Sequence, residues 1–251
     1  MDYPRLVFVI SFVSLWIAEV AGAWLRKRHL SLEEGQRDDF NLITASTLTL
    51  LGLIIGFSFS MATTRYDQRK NYEEAEANAI GTEYVRADLL PGEDAAKVRA
   101  LLRNYLDQRV LFYVSQDDNE LRQVNAATSR LENDLWTTVR SPATAQPTPV
   151  IALAVAGMND VLNSQGYTQA AWWNRIPAAA WSLMGAIALC SNVLVGYGAR
   201  RFQTKTLLFL VLPLVVSISF FLIADIDSPR RGMIRVRPQN LDSLAQSLRG
   251  Q

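Results

Sequence analysis

The stretch FNLITASTLTLLGLIIGFSFSMATT, residues 40–64, carries no formally charged side chain and ends at the charged run RYDQRK, residues 65–70. About 20 apolar residues in a helix span the roughly 30 Å hydrocarbon core of a bilayer, so this stretch is long enough to cross a membrane. It is richer in Thr, Ser and Gly than a segment that only anchors a protein. Such residues suit a membrane helix that packs closely on neighbours or lines an aqueous path. The stretch therefore predicts a functional membrane helix.

Small residues recur along this helix, because Gly52, Gly56 and Ser60 are spaced four apart and Thr64 follows. A face of this kind lets another helix approach closely, and it can also line a pore. In a symmetric oligomer both uses hold together, and Phe57 or Phe59 would supply an apolar constriction that gates by dewetting. The candidate residues for pore lining or helix packing are Thr49, Gly52, Gly56, Phe57, Phe59, Ser60 and Thr63.

An apolar run at residues 6–25 has two interpretations. One is a secretory signal peptide with a cleavage-like Ala-Gly-Ala at residues 21–23. The other is a retained membrane helix, which Glu19 and the basic cluster at residues 26–28 favour because both are awkward in a cleaved signal. Glu19 either faces the interior of a helix bundle or reaches the basic cluster at the membrane surface.

Two further spans are predicted at about residues 176–199 and 206–224. The run WWNRIP, residues 172–177, resembles a membrane entrance, since paired Trp suits the headgroup region and Pro suits the first turn of a helix. Pro213 predicts a kink in the last span. The first two spans occupy residues 1–64 and the last two occupy residues 173–225.

Residues 65–172 predict a soluble helical bundle inserted between the second and third spans. The second membrane helix should continue to about residue 90, where Pro-Gly at residues 91–92 stops it. Amphipathic patterns indicate further helices at about residues 93–115, 117–140 and 149–164, with a Pro-rich linker at residues 141–149. Within the bundle, the cluster Glu73, Glu74 and Glu76 favours a solvated helix face over a cation site.

The chain ends in a polar, partly amphipathic tail, residues 226–251. A charged cluster lies where the last span meets this tail, and it has two interpretations: a small enzyme site, or an ion-pair network in which Asp and Arg three to five residues apart meet. Its members are Asp225, Asp227, Arg230 and Arg231.

The bulk composition excludes several classes of function. The net charge of +1 gives no reason to expect a nucleic-acid partner. The single cysteine, Cys190, cannot form an intramolecular disulfide and is expected to be buried as a small hydrophobic residue. The single histidine, His29, argues against a usual zinc site, which needs several His or Cys ligands. A Ser-His-Asp triad would have to use His29, and nothing near His29 indicates one. We therefore expect no metal, no cofactor and no enzymatic activity.

Together these patterns predict an all-α integral membrane protein with four transmembrane helices and a helical bundle between the second and third. Four spans place both termini and the bundle on one side of the membrane. The positive-inside rule favours the two short connectors, at residues 26–39 and about 200–205, as the cytoplasmic side.

Four blocks of sequence carry a resemblance to a known family. They are LLGLIIGFSFSMATTRYDQRKN (residues 50–71), EANAIGTEYVRADLLP (residues 76–91), NRIP (residues 174–177) and LIADIDSPRRGMIRV (residues 222–236). The chain resembles the bacterial bestrophin-like family of membrane proteins on these blocks. Between residues 93 and 164 the resemblance lies in helical character more than in motif.

A more distant resemblance leads to the bestrophin anion channels. Gly56-Phe57 and Tyr66-Asp67 match the order of a Gly-Phe turn region and a Tyr-Asp-Arg run, although Gln68 stands where the Arg would be. The resemblance implies a homo-oligomer, a pentamer around a pore, with the bundle and termini on the cytoplasmic side of the inner membrane. It does not imply calcium binding, because the residues after Asp227 are Ser-Pro-Arg-Arg instead of an acidic clasp.

Two functional hypotheses follow. The first is an oligomeric ion channel, for anions, with the second transmembrane helix lining the pore. The second is a membrane-anchored interaction or scaffold protein without transport activity, in which the small-residue face only packs helices and the bundle binds a partner. The lipid bilayer is the expected partner in both. Other copies of the chain and a permeant ion are expected for the first, and monomeric behaviour with a co-purifying partner would favour the second.

Overall fold

The computed structural model describes residues 3–28, 34–199 and 208–250, and every regular element in these ranges is helical. The all-α architecture predicted from the sequence is thus confirmed. His29 lies outside the described residues. The helices are α1 (Pro4–Arg28), α2 (Glu34–Arg86), α3 (Gly92–Val114), α4 (Asp118–Ala145), α5 (Pro149–Trp173), α6 (Ala178–Gly198), α7 (Leu208–Asp227) and α8 (Gln239–Arg249), with a short 3₁₀ turn, Ala87–Leu89, after α2.

Four helical stretches within the described ranges are long and apolar enough to cross a membrane, which agrees with the four predicted spans. They are Pro4–Arg28, Gly35–Leu89, Pro149–Gly198 and Phe209–Asp227. The second is much longer than a bilayer requires, because α2 continues through the charged residues after position 64 to Arg86, as its helix-forming composition predicted.

The chain divides into two compact units. The first comprises Met1–Arg65 and Arg175–Ile234, and the second comprises Tyr66–Asn174 and Arg235–Gln251. Helices α1, α6 and α7 belong to the first unit, and α3, α4, α5 and α8 belong to the second. The long helix α2 contributes its apolar half to the first unit and its charged half to the second.

In the first unit α1 and α6 cross at very short range. A Cβ on Gly22 would lie 2.9 Å from the backbone nitrogen of Tyr197, and one on Gly196 would lie 3.1 Å from the Cα of Glu19. Only glycine permits two helix backbones to approach this closely. Because α1 is built into the unit in this way, the structure favours the retained span over the cleaved signal peptide.

Two charged residues of α1 lie at the same crossing: Arg26 is hydrogen-bonded there, and Glu19 is buried. Arg26 donates from Nη1 to the carbonyl oxygens of Tyr197 at 3.1 Å and Gly198 at 2.7 Å, which satisfies carbonyls at the end of α6. Glu19 is only 1% exposed, so it faces the interior of the helix bundle.

The second unit is a helical bundle around an apolar core that includes Val98, Leu102, Phe112, Leu135 and Met158. Trp172 packs edge-to-face on Phe112, with ring centroids 5.0 Å apart, and is buried. The predicted paired-Trp membrane entrance therefore fits Trp173 alone, which is 74% exposed.

The predicted polar tail is partly a helix of this bundle. Leu241 and Leu248, on α8, are buried in the bundle core, because their spacing of seven places both on one helix face. The predicted Pro-rich linker is also shorter than expected, since α4 continues through Pro142 to Ala145. The break before α5 covers residues 146–148 only, and Thr148 caps α5 by accepting from the backbone N–H of Ile151.

Candidate functional site

The predicted functional face of α2 is exposed within the subunit. Phe57 is 61% exposed and Phe59 is 43% exposed, while Thr49, Gly52, Gly56 and Ser60 are also exposed and Thr63 is half-buried. A face of this size, apolar and free of charge, is one that a membrane protein turns toward lipid, another subunit or a pore.

The glycines on this face are not used for packing inside the chain. A Cβ on Gly52 or Gly56 would have no described atom within 4 Å. This is the opposite of Gly22 and Gly196, where a Cβ would clash with backbone. The close helix approach within the subunit was therefore missed by the sequence reasoning, which singled out the other pair.

The threonine hydroxyls of α2 are satisfied by their own helix. Thr49 donates to the carbonyl of Ala45 at 2.9 Å, Thr63 donates to that of Phe59 at 3.0 Å, and Thr64 donates to that of Ser60 at 2.9 Å. Each hydroxyl hydrogen is used in a bond within the helix, and each hydroxyl oxygen can still accept a hydrogen bond. The face is therefore uncharged and only weakly polar.

The opposite face of α2 is buried in the first unit, through Leu51, Ser58 and Ala62. With 3.6 residues per turn, each residue advances the helix by about 100°. The direction opposite this buried face then falls on Ser60, which is exposed. Leu53 and Phe57, one turn apart and 52% and 61% exposed, lie about 20° and about 60° to one side of that direction. Phe59 points more than a right angle away from Phe57, so the two phenylalanines do not share one lining.

Arg65 stands where the charge-free stretch ends. Its Nε and Nη1 atoms are enclosed and have no hydrogen-bond partner within the described ranges. Arg65 comes seven residues after the buried Ser58 and therefore lies on the buried side of α2, whereas the first charged residue on the exposed side is Asp67, seven residues after Ser60.

Beyond Arg65, the buried face of α2 carries charges that tie the second unit together. Arg69 is 1% exposed and donates to the carbonyls of Ala171 and Asn174 at 3.2 Å each. Glu73 accepts from the backbone N–H groups of Asn240 at 2.9 Å and Leu241 at 3.0 Å. These pairs place a cation at the end of α5 and an anion at the start of α8, as the helix dipoles favour.

Glu76 and Arg109 form a fully buried ion pair between α2 and α3. The carboxylate of Glu76 also accepts from the hydroxyls of Tyr113 at 3.2 Å and Thr168 at 3.1 Å. Burial, with the negative charge of Glu76, raises the pKa of Tyr113, which therefore stays a neutral donor. The predicted solvated face is wrong for Glu73 and Glu76, and only Glu74 is exposed.

Glu83 is the fourth charged residue of this buried face. It is 0% exposed, neither carboxylate oxygen has a hydrogen-bond partner among the described residues, and it lies against Gly157 of α5. Burial raises the pKa of Glu83 to about 8, with Arg86 opposing the shift and Asp160 adding to it.

In the charged cluster at the end of α7, Asp225 and Asp227 accept hydrogen bonds from backbone groups. Asp225 is 2% exposed and accepts from the N–H groups of Met233 at 2.7 Å and Ile234 at 2.8 Å, so it clamps the following loop and is not paired with an Arg. Asp227 accepts from the N–H of Ile176 at 3.2 Å. Arg231 donates to the hydroxyl of Tyr3.

For Asp225 these backbone contacts take the place of the predicted ion pair, and the network predicted among Asp227, Arg230 and Arg231 stays a prediction. No group of three His, Cys, Asp or Glu side chains that could hold a metal ion occurs in the part of the chain that the structure describes. Cys190, expected as buried, is exposed on α6, where an apolar environment suits a thiol equally well.

Comparison with known proteins agrees with this architecture. A family model described as a bestrophin-like domain matches residues 13–241. No curated protein matches the sequence significantly.

Several solved structures have the same fold. A crystal structure of a bacterial bestrophin homolog from Klebsiella pneumoniae, in a single-residue mutant form, superposes with a TM-score of 0.66 at 12% identity and covers 99% of this chain and 97% of its own. A form of that homolog solved by Zn-SAD phasing gives a TM-score of 0.60 at 14% identity, covering 97% and 95%. A mutant crystal structure described only as a membrane protein gives 0.65 at 13% identity, covering 97% and 96%.

The family match covers the second half of α1, the other three spans and most of the bundle, including the charge-free half of α2 and the clamp around Asp225. The solved structures share the fold along almost the whole chain. This membrane protein therefore belongs to the bestrophin-like family.

Proposed function

We propose that the protein is an oligomeric ion channel of the inner membrane that conducts anions, with α2 of each subunit lining the pore. One observation carries the proposal: the charge-free half of α2 buries only one face in its own subunit and leaves the other exposed. A ring of subunits, with five as the expected number, would place this free face around a common axis. The family membership supports the assembly of such a ring from copies of one chain.

Within such a ring, Leu53 and Phe57 would form the narrowest part. They are exposed, apolar and one helical turn apart, on the side opposite the buried residues of α2. An apolar constriction opposes the passage of hydrated ions and opens when it widens or wets. Thr49, Gly52, Gly56 and Ser60 would continue the lining or let neighbouring subunits approach.

Selectivity for anions follows from charge. No residue from 40 to 64 is acidic, so the lining has no ring that would draw cations. Arg65 supplies a positive charge where the charge-free stretch ends, on the side of α2 that is turned away from the lining. We place this end, the bundle and both termini on the cytoplasmic side.

The test is ion flux through purified protein in liposomes, together with the mass of the complex in a lipid nanodisc. We expect a ring of defined mass, chloride flux well above potassium flux, and a loss of this preference in Arg65→Gln. Phe57→Ala should change the flux, and Phe59→Ala serves as its matched control. A monomer without flux would overturn the channel and favour the scaffold hypothesis.

A further inference from the structure

A groove of about 370 Å³ lies between α1, α6 and α7 of the first unit. Its volume falls within the roughly 300–1,000 Å³ typical of small-molecule sites. The three helices are membrane spans, so the groove lies at the depth of the lipid tails. Residues from all three helices line it: Leu6, Ile10, Trp181, Gly185, Leu189 and Phe220.

The walls of the groove fit a hydrocarbon chain. Leu6 and Ile10, at its rim, are 54% and 56% exposed, and Trp181 and Phe220 form a buried floor with their rings edge-to-face, 6.2 Å apart. Ser11 is one of the few polar residues in the lining, and its hydroxyl donates to the carbonyl of Phe8 at 3.1 Å. An apolar slot of this kind, open toward the bilayer, takes an acyl chain.

One end of the groove carries a positive charge. Tyr3 lines that end, and the guanidinium of Arg231 lies over its ring, 4.8 Å from the centroid, while donating to its hydroxyl. None of the described lining residues is acidic. An amphipathic aromatic and an arginine at the end of a membrane span are groups that contact lipid phosphates.

We propose that this groove binds one anionic phospholipid per subunit, with an acyl chain between α1, α6 and α7 and the headgroup phosphate at Arg231. The apolar walls select a chain, and the charge of Arg231 selects an anionic headgroup over a zwitterionic one. The site is separate from the exposed face of α2 and does not depend on ion conduction.

Gly185 allows the groove to be filled without disturbing the fold. A Cβ on Gly185 would meet no described atom within 4 Å, so Gly185→Leu places its side chain in the open space of the groove. Arg231→Gln removes the charge and substitutes none of the lining residues. Arg5→Gln is a matched control, because Arg5 is exposed near the same end of α1, whereas Arg231 is the arginine whose guanidinium lies on the lining residue Tyr3.

The experiment is native mass spectrometry of the purified protein with added dioleoyl phosphatidylglycerol or dioleoyl phosphatidylcholine. The parent protein and Arg5→Gln should retain one phosphatidylglycerol per subunit, with about tenfold preference over phosphatidylcholine, the ratio that a charge-assisted hydrogen bond supplies. Arg231→Gln should lose the preference, and Gly185→Leu should lose retention of both lipids. The mass of the protein complex should be the same in all variants.

Two results would overturn the proposal. Equal retention of phosphatidylglycerol in the parent protein and Gly185→Leu would show that the groove does not hold the chain. A change in the number of subunits in Gly185→Leu would show that a second copy of the chain, and not a lipid, occupies the groove.

Discussion

Glu73, in the charged half of α2, caps a helix almost 170 positions later by accepting a hydrogen bond from the backbone N–H of Leu241 at 3.0 Å. The same carboxylate accepts from the N–H of Asn240 at 2.9 Å and from its side-chain amide at 2.6 Å. The residue before α8 is Pro238, which makes no side-chain cap of its own. The cap of this helix is therefore supplied by another helix.

Removal of this cap should release α8. We expect Glu73→Ala to lower the stability of the α8 contact by about 1–2 kcal/mol, the usual cost of losing a helix cap. Hydrogen exchange of residues 239–249 measures it, and exposed Glu74→Ala is the matched control. Unchanged protection of α8 in Glu73→Ala would contradict this function of Glu73.

The α1–α6 crossing should not tolerate a side chain at Gly22. Gly22→Ala places a methyl group against the backbone of α6, and overpacking of this kind costs about 1–3 kcal/mol. Gly185→Ala, on α6 but with open space around it, should leave the thermal unfolding midpoint in detergent unchanged. Equal midpoints for both variants would mean that the two helices separate easily.

The buried pair Glu76–Arg109 should behave as a coupled unit. Arg109→Met leaves the carboxylate of Glu76 with only the hydroxyls of Tyr113 and Thr168, and breaking such a pair costs about 3–5 kcal/mol. The double variant Glu76→Gln/Arg109→Met should recover much of this loss, because no unpaired charge remains. Denaturant unfolding of the four species gives the coupling, and additive losses would disprove it.

Glu83 should make the stability of the bundle depend on pH. Its pKa is raised from about 4.5 to about 8 in the folded state, so between these values the folded protein holds a proton that the unfolded chain has lost. Stability therefore falls as pH rises from about 4.5 to 8 and levels off above that range. In Glu83→Gln this loss, on the order of a few kcal/mol, should disappear. Parallel pH profiles for the two proteins would contradict the assignment.

The membrane spans were predictable from sequence because absence of charge is a local property. Residues 40–64 contain no ionisable group, and a stretch of this length and composition forms a helix across the bilayer. The close approach at Gly22 was not predictable in the same way. Which glycine meets another helix depends on the pairing of α1 with α6, and nothing within either segment specifies that partner.

The buried charged face of α2 has a regular spacing in the sequence that was not recognised as a sign of burial. Arg69, Glu73, Glu76, Ile80 and Glu83 recur at spacings of three and four, which places them on one side of α2. The rule that charged residues are exposed concealed the pattern, since these charges are buried with partners or, for Glu83, with a raised pKa. Ile80 in the same row was the indication that this side faces a core.

For the candidate site, the sequence predicted which helix carries it and some of the residues on the exposed face, but not the full set. The sequence indicated Gly52, Gly56 and Phe57, and the structure adds Leu53 because it shows which side of α2 is buried. What lies opposite this face belongs to neighbouring copies of the chain under the proposed assembly, so neither the sequence nor one subunit fixes it.

The most direct test of the central proposal, that α2 lines an anion pore, is chemical modification during conduction. In a Cys190→Ser background, Leu53→Cys and Phe57→Cys would be treated in liposomes with a negatively charged, membrane-impermeant methanethiosulfonate while chloride flux is recorded. Leu51→Cys, on the buried face, is the control. We expect flux to fall on modification at Leu53→Cys and Phe57→Cys and to stay constant at Leu51→Cys. Complete modification at both exposed positions, verified by mass, with unchanged flux would contradict a pore lined by α2.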